Sequence, residues 1–175
     1  GYLRKHWAEP WPKEQLAHLS QLARQCRENG LAFGVGLSPM GAHHDYPHKR
    51  PALLEKVRLI EEALKPDILA VLFDDMKGDT PDLAHWQLTI AHDIAAHTGA
   101  SRLIFCPSYY STDPVLEKVF GAMPPHYLTD LGQGLDKRFD IFWTGPRVCS
   151  TEYPAAHLKQ AADWLHRKPF LWDNY

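Results

Sequence analysis

The sequence predicts an α/β fold in which parallel strands alternate with helices, a (β/α) barrel or part of one. Three observations lead there. The run Ile68, Leu69, Ala70, Val71, Leu72, Phe73 is continuously apolar and stops at two carboxylates, Asp74 and Asp75. Such a run reads as a central strand buried on both faces, as parallel strands covered by helices are. Short apolar runs also alternate along the chain with helical patterns of about ten residues or more, the mark of parallel βα units. Finally, no strand is followed by a glycine-rich phosphate loop: GxGxxG and GxxxxGKS are both absent, which disfavours dinucleotide and P-loop folds.

Trp11 and Pro12 open a first helix that runs to the stop signal Asn29–Gly30, with Leu16, Leu19, Leu22, Ala23 and Cys26 at helical spacing. A strand follows over residues 32–37, and its two glycines predict close approach of another backbone or a ligand. Residues 40–50 read as a loop holding His43, His44, Asp45 and His48; without a helical HExxH arrangement it is read as surface, with no metal expected. A second helix is predicted over 52–64, broken by Pro66 before the acid-tipped strand. A third helix runs from Asp82 to about Gly99, and a third strand covers 102–106, closed by Pro107. Helical patterns over 114–120 and 125–135 precede a fourth strand at 140–143. A helix within 151–167 and a fifth strand at 170–172 complete the order. Five strands cannot close an eight-stranded barrel, so the chain is expected to be a piece of a longer protein.

Composition narrows the classes. With 175 residues, 45% hydrophobic and 23% charged, the chain can bury one sizeable core over residues 1–175. A formal net charge of −2 leaves no electrostatic footprint for nucleic acid, and no apolar run approaches the roughly 20 residues of a membrane span. Cys26, Cys106 and Cys149 are scattered without CxxC spacing, which argues against a disulfide framework or zinc site and favours a reducing, cytoplasmic compartment over secretion. Cys106 reads as a buried small hydrophobe rather than a nucleophile.

In a barrel the residues just past each strand share one mouth. Here they are Ser38, Asp74 with Asp75, Tyr109 with Tyr110, Trp143 with Thr144, and Asp173 with Asn174. No lysine stands at these ends for Schiff-base chemistry, and no GxSxG elbow is present. Aromatic platforms beside acids and amides suit a sugar, and the reaction they fit is glycoside hydrolysis. Ordinary retaining carboxylates stand about 5–5.5 Å apart across the scissile bond, whereas neighbours in a strand diverge from Cα atoms about 3.8 Å apart. Consecutive acids suit substrate assistance instead, in which a 2-acetamido oxygen is the nucleophile. One acid then orients the amide while the other protonates the leaving group. The bland reading is that Asp74 and Asp75 are solvated acids capping the next helix.

Four motifs in order, Leu72-Phe73-Asp74-Asp75, Phe105-Cys106-Pro107-Ser108-Tyr109-Tyr110, Trp143-Thr144-Gly145-Pro146 and Trp172-Asp173-Asn174, resemble those of glycoside hydrolase family 84. So do the stretches Leu3 to Pro12 and Leu37-Ser38-Pro39. That family comprises β-N-acetylglucosaminidases, including protein O-GlcNAcases and bacterial enzymes called hyaluronidases. The resemblance implies a TIM-like barrel of which this chain holds about strands 3–7, no cofactor, and retention through an oxazoline. Asp74 would orient the acetamido group and Asp75 would be the general acid/base. Tyr110, Trp172 and Asn174 would line the acetamido pocket. The acid/base is expected to have its pKa raised by its charged neighbour. The family's upstream lysine and downstream sugar-holding acid and amide match nothing here, so the fragment alone is expected to be inactive. Where members often have Thr-Glu-Tyr, this chain has Ser108-Tyr109-Tyr110. The partner implied is a carbohydrate or glycoprotein bearing β-linked N-acetylglucosamine. Two other readings are a non-catalytic carbohydrate-binding barrel and a metal-dependent hydrolase using Asp74, Asp75 and the histidine loop.

Overall fold

In the computed structural model, residues 1–174 are described. Five parallel strands form one sheet in sequential order: β1 (Gly34–Leu37), β2 (Ile68–Leu72), β3 (Arg102–Cys106), β4 (Phe139–Trp143) and β5 (Phe170–Leu171). The helices are α1 (Lys13–Glu28), α2 (Tyr46–Ala63), α3 (Leu83–His97), α4 (Pro114–Phe120), α5 (Tyr127–Gly134) and α6 (Ala155–Leu165). A sheet wound in one direction carries all its crossover helices on one face. The contacts agree, since α2 packs on α3, α3 on α5 and α5 on α6, as one layer. This is a parallel α/β sheet consistent with an arc of a (β/α) barrel.

The winding corrects one expectation. β2 is not buried on both faces. Leu69, Val71 and Phe73 are fully buried, while Ile68, Ala70 and Leu72 are only half-buried. The buried set faces the helices, where Phe73, Phe105 and Phe139 form a row of rings 5.4 and 6.3 Å apart. The other, concave face holds Phe142 stacked on Phe170 at 5.4 Å and the Arg102–Asp140 ion pair at 2.9 Å. Of the two glycines, Gly34 approaches the Ile68 carbonyl of the adjacent strand, whereas the close neighbour of Gly36 is a side chain. A Cβ on Gly36 would come within 2.9 Å of Leu72 Cδ1 on the adjacent strand.

The histidine loop is also different from its expectation. Ala42–His44 is a 3-10 turn entered through Gly41, whose φ of 69° is left-handed, and α2 starts at Tyr46 rather than residue 52. Pro51 therefore lies inside a helix, which local propensity opposes. Tertiary anchors explain it: the Tyr46 hydroxyl donates to Asp93 on α3 at 2.7 Å, and Arg50 forks onto the same carboxylate at 2.7 and 2.8 Å.

Before α1, residues 1–11 lie across the end of the sheet. Ser38 N–H donates to the Leu3 carbonyl at 2.7 Å, and Trp7 Nε1 donates to the Met40 carbonyl at 3.0 Å. Buried Lys56 on α2 donates to the Tyr2 and Glu9 carbonyls and sits 4.3 Å from the Trp11 ring centroid. An ammonium out of water needs such partners, and burial lowers its pKa.

Candidate active site

β2 ends at Leu72, but Phe73 N–H still reaches the Cys106 carbonyl at 2.9 Å, so Asp74 leaves the sheet from a fixed point. The Phe73 carbonyl is held too, accepting from Ser108 Oγ at 3.0 Å. Behind it Gln87 Nε2 donates to Ser108 Oγ, the Tyr127 hydroxyl donates to Gln87 Oε1, and Ser108 N–H donates to the Tyr127 oxygen. All four groups are buried and each finds a partner, the condition under which a buried polar network stiffens its surroundings. Ser108 is thus a brace for the residue before Asp74.

The two acids part at once. The Asp74 side chain is 15% exposed, and its Oδ1 is buried with no hydrogen-bond partner among the described residues. Asp75 is 60% exposed and adopts a left-handed φ of 58°, uncommon for a residue with a Cβ and a conformation often found at functional sites. Neither caps α3, which begins at Leu83 after Asp82. Arg4 spans both, with Nη1 donating to Asp74 Oδ2 at 3.4 Å and Nη2 to Asp75 Oδ2 at 2.7 Å. Burial raises the Asp74 pKa; the Arg4 charge pulls it back down and the Asp75 charge adds to the rise. At Asp74, then, burial is the larger cause of the rise and the Asp75 charge the smaller one. Arg4 belongs to the stretch Leu3 to Pro12, yet a sequence separation of 70 residues hides its role as partner to the pair.

Around the acids, Tyr110 is buried, its ring 5.4 Å from Trp172. Burial, then the Asp75 charge, push its hydroxyl up to about 12, so it remains a neutral donor over the ordinary pH range. Trp172 also packs on Phe142 at 5.6 Å, and its N–H extends the ladder to the Trp143 carbonyl at 3.0 Å. Asn174 follows at the same edge, its Nδ2 donating to the Val148 carbonyl at 3.2 Å. Asp173 accepts from the Tyr153 hydroxyl at 3.4 Å and so braces a neighbouring loop.

Trp143, Tyr109 and Cys106 are held in the core by the fold. Trp143 is fully buried and donates to His157 Nε2 at 3.2 Å. Tyr109 is not a surface residue: it is 1% exposed and its hydroxyl donates to the Gly121 carbonyl at 2.7 Å. Cys106 is buried, with its thiol pushed up by burial and by the Asp74 charge, which keeps it a thiol. An apolar cavity of about 430 Å³ lies elsewhere, between α4, α5 and α6, lined by Leu116, Met123, Tyr127, Leu128 and Trp164. It contains neither acid.

This arrangement of a partnerless buried carboxylate oxygen, a second exposed acid and an aromatic wall coincides with a match to known proteins. A family model described as beta-N-acetylglucosaminidase matches residues 1–175. The chain belongs to the β-N-acetylglucosaminidase family. It is 27% identical over 181 aligned positions to protein O-GlcNAcase of Rattus norvegicus, and equally to that of Mus musculus, covering 98% of this chain and 19% of each relative. Among solved structures, a mutant O-GlcNAc hydrolase of Thermobaculum terrenum superposes with a TM-score of 0.79 at 28% identity, over 99% of this chain and 38% of that one. This β-N-acetylglucosaminidase-family chain thus spans about a fifth of the curated relatives it matches. No described helix is long and apolar enough to cross a membrane.

Proposed function

We propose that residues 1–175 are the part of a β-N-acetylglucosaminidase barrel that carries its acid pair, corresponding to about strands 3–7. The substrate is a protein or glycan bearing terminal β-linked N-acetylglucosamine. Asp74 orients the acetamido group and Asp75 is the general acid/base. The observation that carries this is Asp74 Oδ1, a buried acceptor with no hydrogen-bond partner among the described residues, beside an acid that faces solvent.

In the first step the acetamido oxygen attacks C1 while the bond from C1 to the leaving oxygen breaks. Asp75 gives its proton to that oxygen, and Asp74 accepts the amide N–H and stabilises the positive oxazoline. In the second step Asp75 takes a proton from water, the water oxygen bonds to C1, and the oxazoline ring opens. Two inversions at C1 amount to retention. Tyr110 and Trp172 supply the wall against the acetamido methyl, and Asn174 an amide at its edge. The half-exposed concave face and the short share of the relatives that the chain spans support a further reading, that residues 1–175 alone do not turn over substrate.

Hydrolysis of an aryl β-N-acetylglucosaminide by the complete protein tests this. Asp74→Asn and Asp75→Asn should each reduce turnover by roughly 10²–10⁴-fold, with Asp75→Asn much less impaired when the leaving group needs no proton. Sugar binding with no turnover in the parent protein would favour a binding barrel, a reading that the Arg4 bridge across both acids supports. The metal-hydrolase reading draws less support, because His43 and His44 gather with Asp79 rather than with the Asp74–Asp75 pair.

A further inference from the structure

We propose that His43, His44 and Asp79 form a binding site for a divalent transition metal of the zinc class, joining the loop after β1 to the loop after β2. Their ligand atoms all lie within 4.8 Å of one another, and His44 Nε2 is 3.6 Å from Asp79 Oδ1. His43 supplies the independent observation. It is 2% exposed, and both ring nitrogens are buried without a hydrogen-bond partner among the described residues. The Lys77 backbone lies near the ring and can serve one nitrogen at most, which leaves the other free to ligate.

A buried imidazole nitrogen left without a partner is costly, and native structures rarely leave such groups unexplained. Two imidazoles and one carboxylate are the ligands that borderline metals such as zinc accept, with the fourth position left to water. The neutral imidazole is the form that ligates. Zinc–ligand bonds of about 2.0–2.1 Å place tetrahedral ligand atoms ~3.4 Å apart, so the trio must close slightly. The movement falls to His44 and Asp79, which are 46% and 50% exposed and able to turn, while His43 stays.

The backbone around them is prepared. The 3-10 turn sets His43 and His44 side by side, with ring centroids 4.0 Å apart. Past Asp75, Met76 is buried, Gly78 N–H donates to the Phe120 carbonyl at 2.9 Å, and Tyr109 packs so tightly on Gly78 that no Cβ fits. Asp79 is thereby placed by its neighbours. Lys49 is turned to the Gly41 carbonyl, to which it donates at 2.7 Å. His48 stays outside, paired with Asp45 at 2.6 Å.

Zinc titration of chelator-stripped protein, with cobalt(II) absorption as a second probe, tests the site without reading turnover, so its outcome is separate from that of the hydrolase reading. One equivalent should bind saturably and raise the Tm. Because His44 and Asp79 are exposed, His44→Ala and Asp79→Ala should fold. Each should weaken binding by more than the ~10–100-fold typical of losing an outer partner, and should lose the cobalt band. His48→Ala and Cys149→Ala should leave both unchanged. No saturable binding, weakening in only one of the two ligand variants, or equal weakening in the controls would each overturn the proposal.

Discussion

Asp74 and Asp75 share a peptide bond and have opposite surroundings, and this contrast governs what each can do. Burial raises the Asp74 pKa, so the folded chain holds that proton more tightly than the unfolded one. The associated stability is complete below the ordinary value of 3.8 and is lost as pH rises through the folded value. Asp74→Asn should remove this slope, leaving a chain at least as stable at neutral pH while turnover of the complete protein collapses. Denaturant melts across the acid range check it, and a variant much less stable at neutral pH would make Asp74 a structural residue. Arg4 works in the other direction, drawing the Asp74 pKa down. Arg4→Met should therefore raise it further and move the acid limb of the kcat/KM profile to higher pH; an unmoved limb would show that the bridge does not persist when substrate binds.

At the scale of elements, the layer of helices depends on close backbone approach and on one half-buried cation. Gly132 in α5 packs on the end of α6 so closely that an added Cβ would lie 2.7 Å from Leu165 Cα. Backbone cannot yield as a side chain can, so Gly132→Ala should cost about 1–3 kcal/mol and lower the Tm by ~2–10 °C. Arg167, just past α6, donates to the carbonyls of Gly132, Leu135, Asp136 and Phe139 at 2.8–3.2 Å, tying the end of α5 to the start of β4. Arg167→Met leaves these acceptors unmet and should cost about 2–4 kcal/mol in a denaturant melt. A neutral result would mean that water reaches them.

Across the whole molecule, the sequential winding covers one face of the sheet and leaves the concave one half-exposed, with Leu171 42% exposed at its edge. Apolar surface of this kind favours association when repulsion is weak. With a sequence pI near 6.6, self-association of the chain should be strongest around that pH and decline by pH ~8.5, as sedimentation velocity would record. Association indifferent to pH would place the sticky surface elsewhere.

Local patterning carried much of this fold. The predicted limits of β3 and α4 match the observed Arg102–Cys106 and Pro114–Phe120, since period, proline and strand length act over a few residues. The strand-end position of the acids was legible for the same reason. Three features were not: the start of α2, the burial of His43, and the grip of Arg4 on the pair. Each rests on partners distant in the chain, as Tyr46 and Arg50 rest on Asp93 and Arg4 on carboxylates 70 and 71 residues away. Hydrophobic periodicity says which side of an element turns inward. Which charge or ring it meets there follows from winding and packing, because those contacts exist only once the sheet has brought separate loops to one edge.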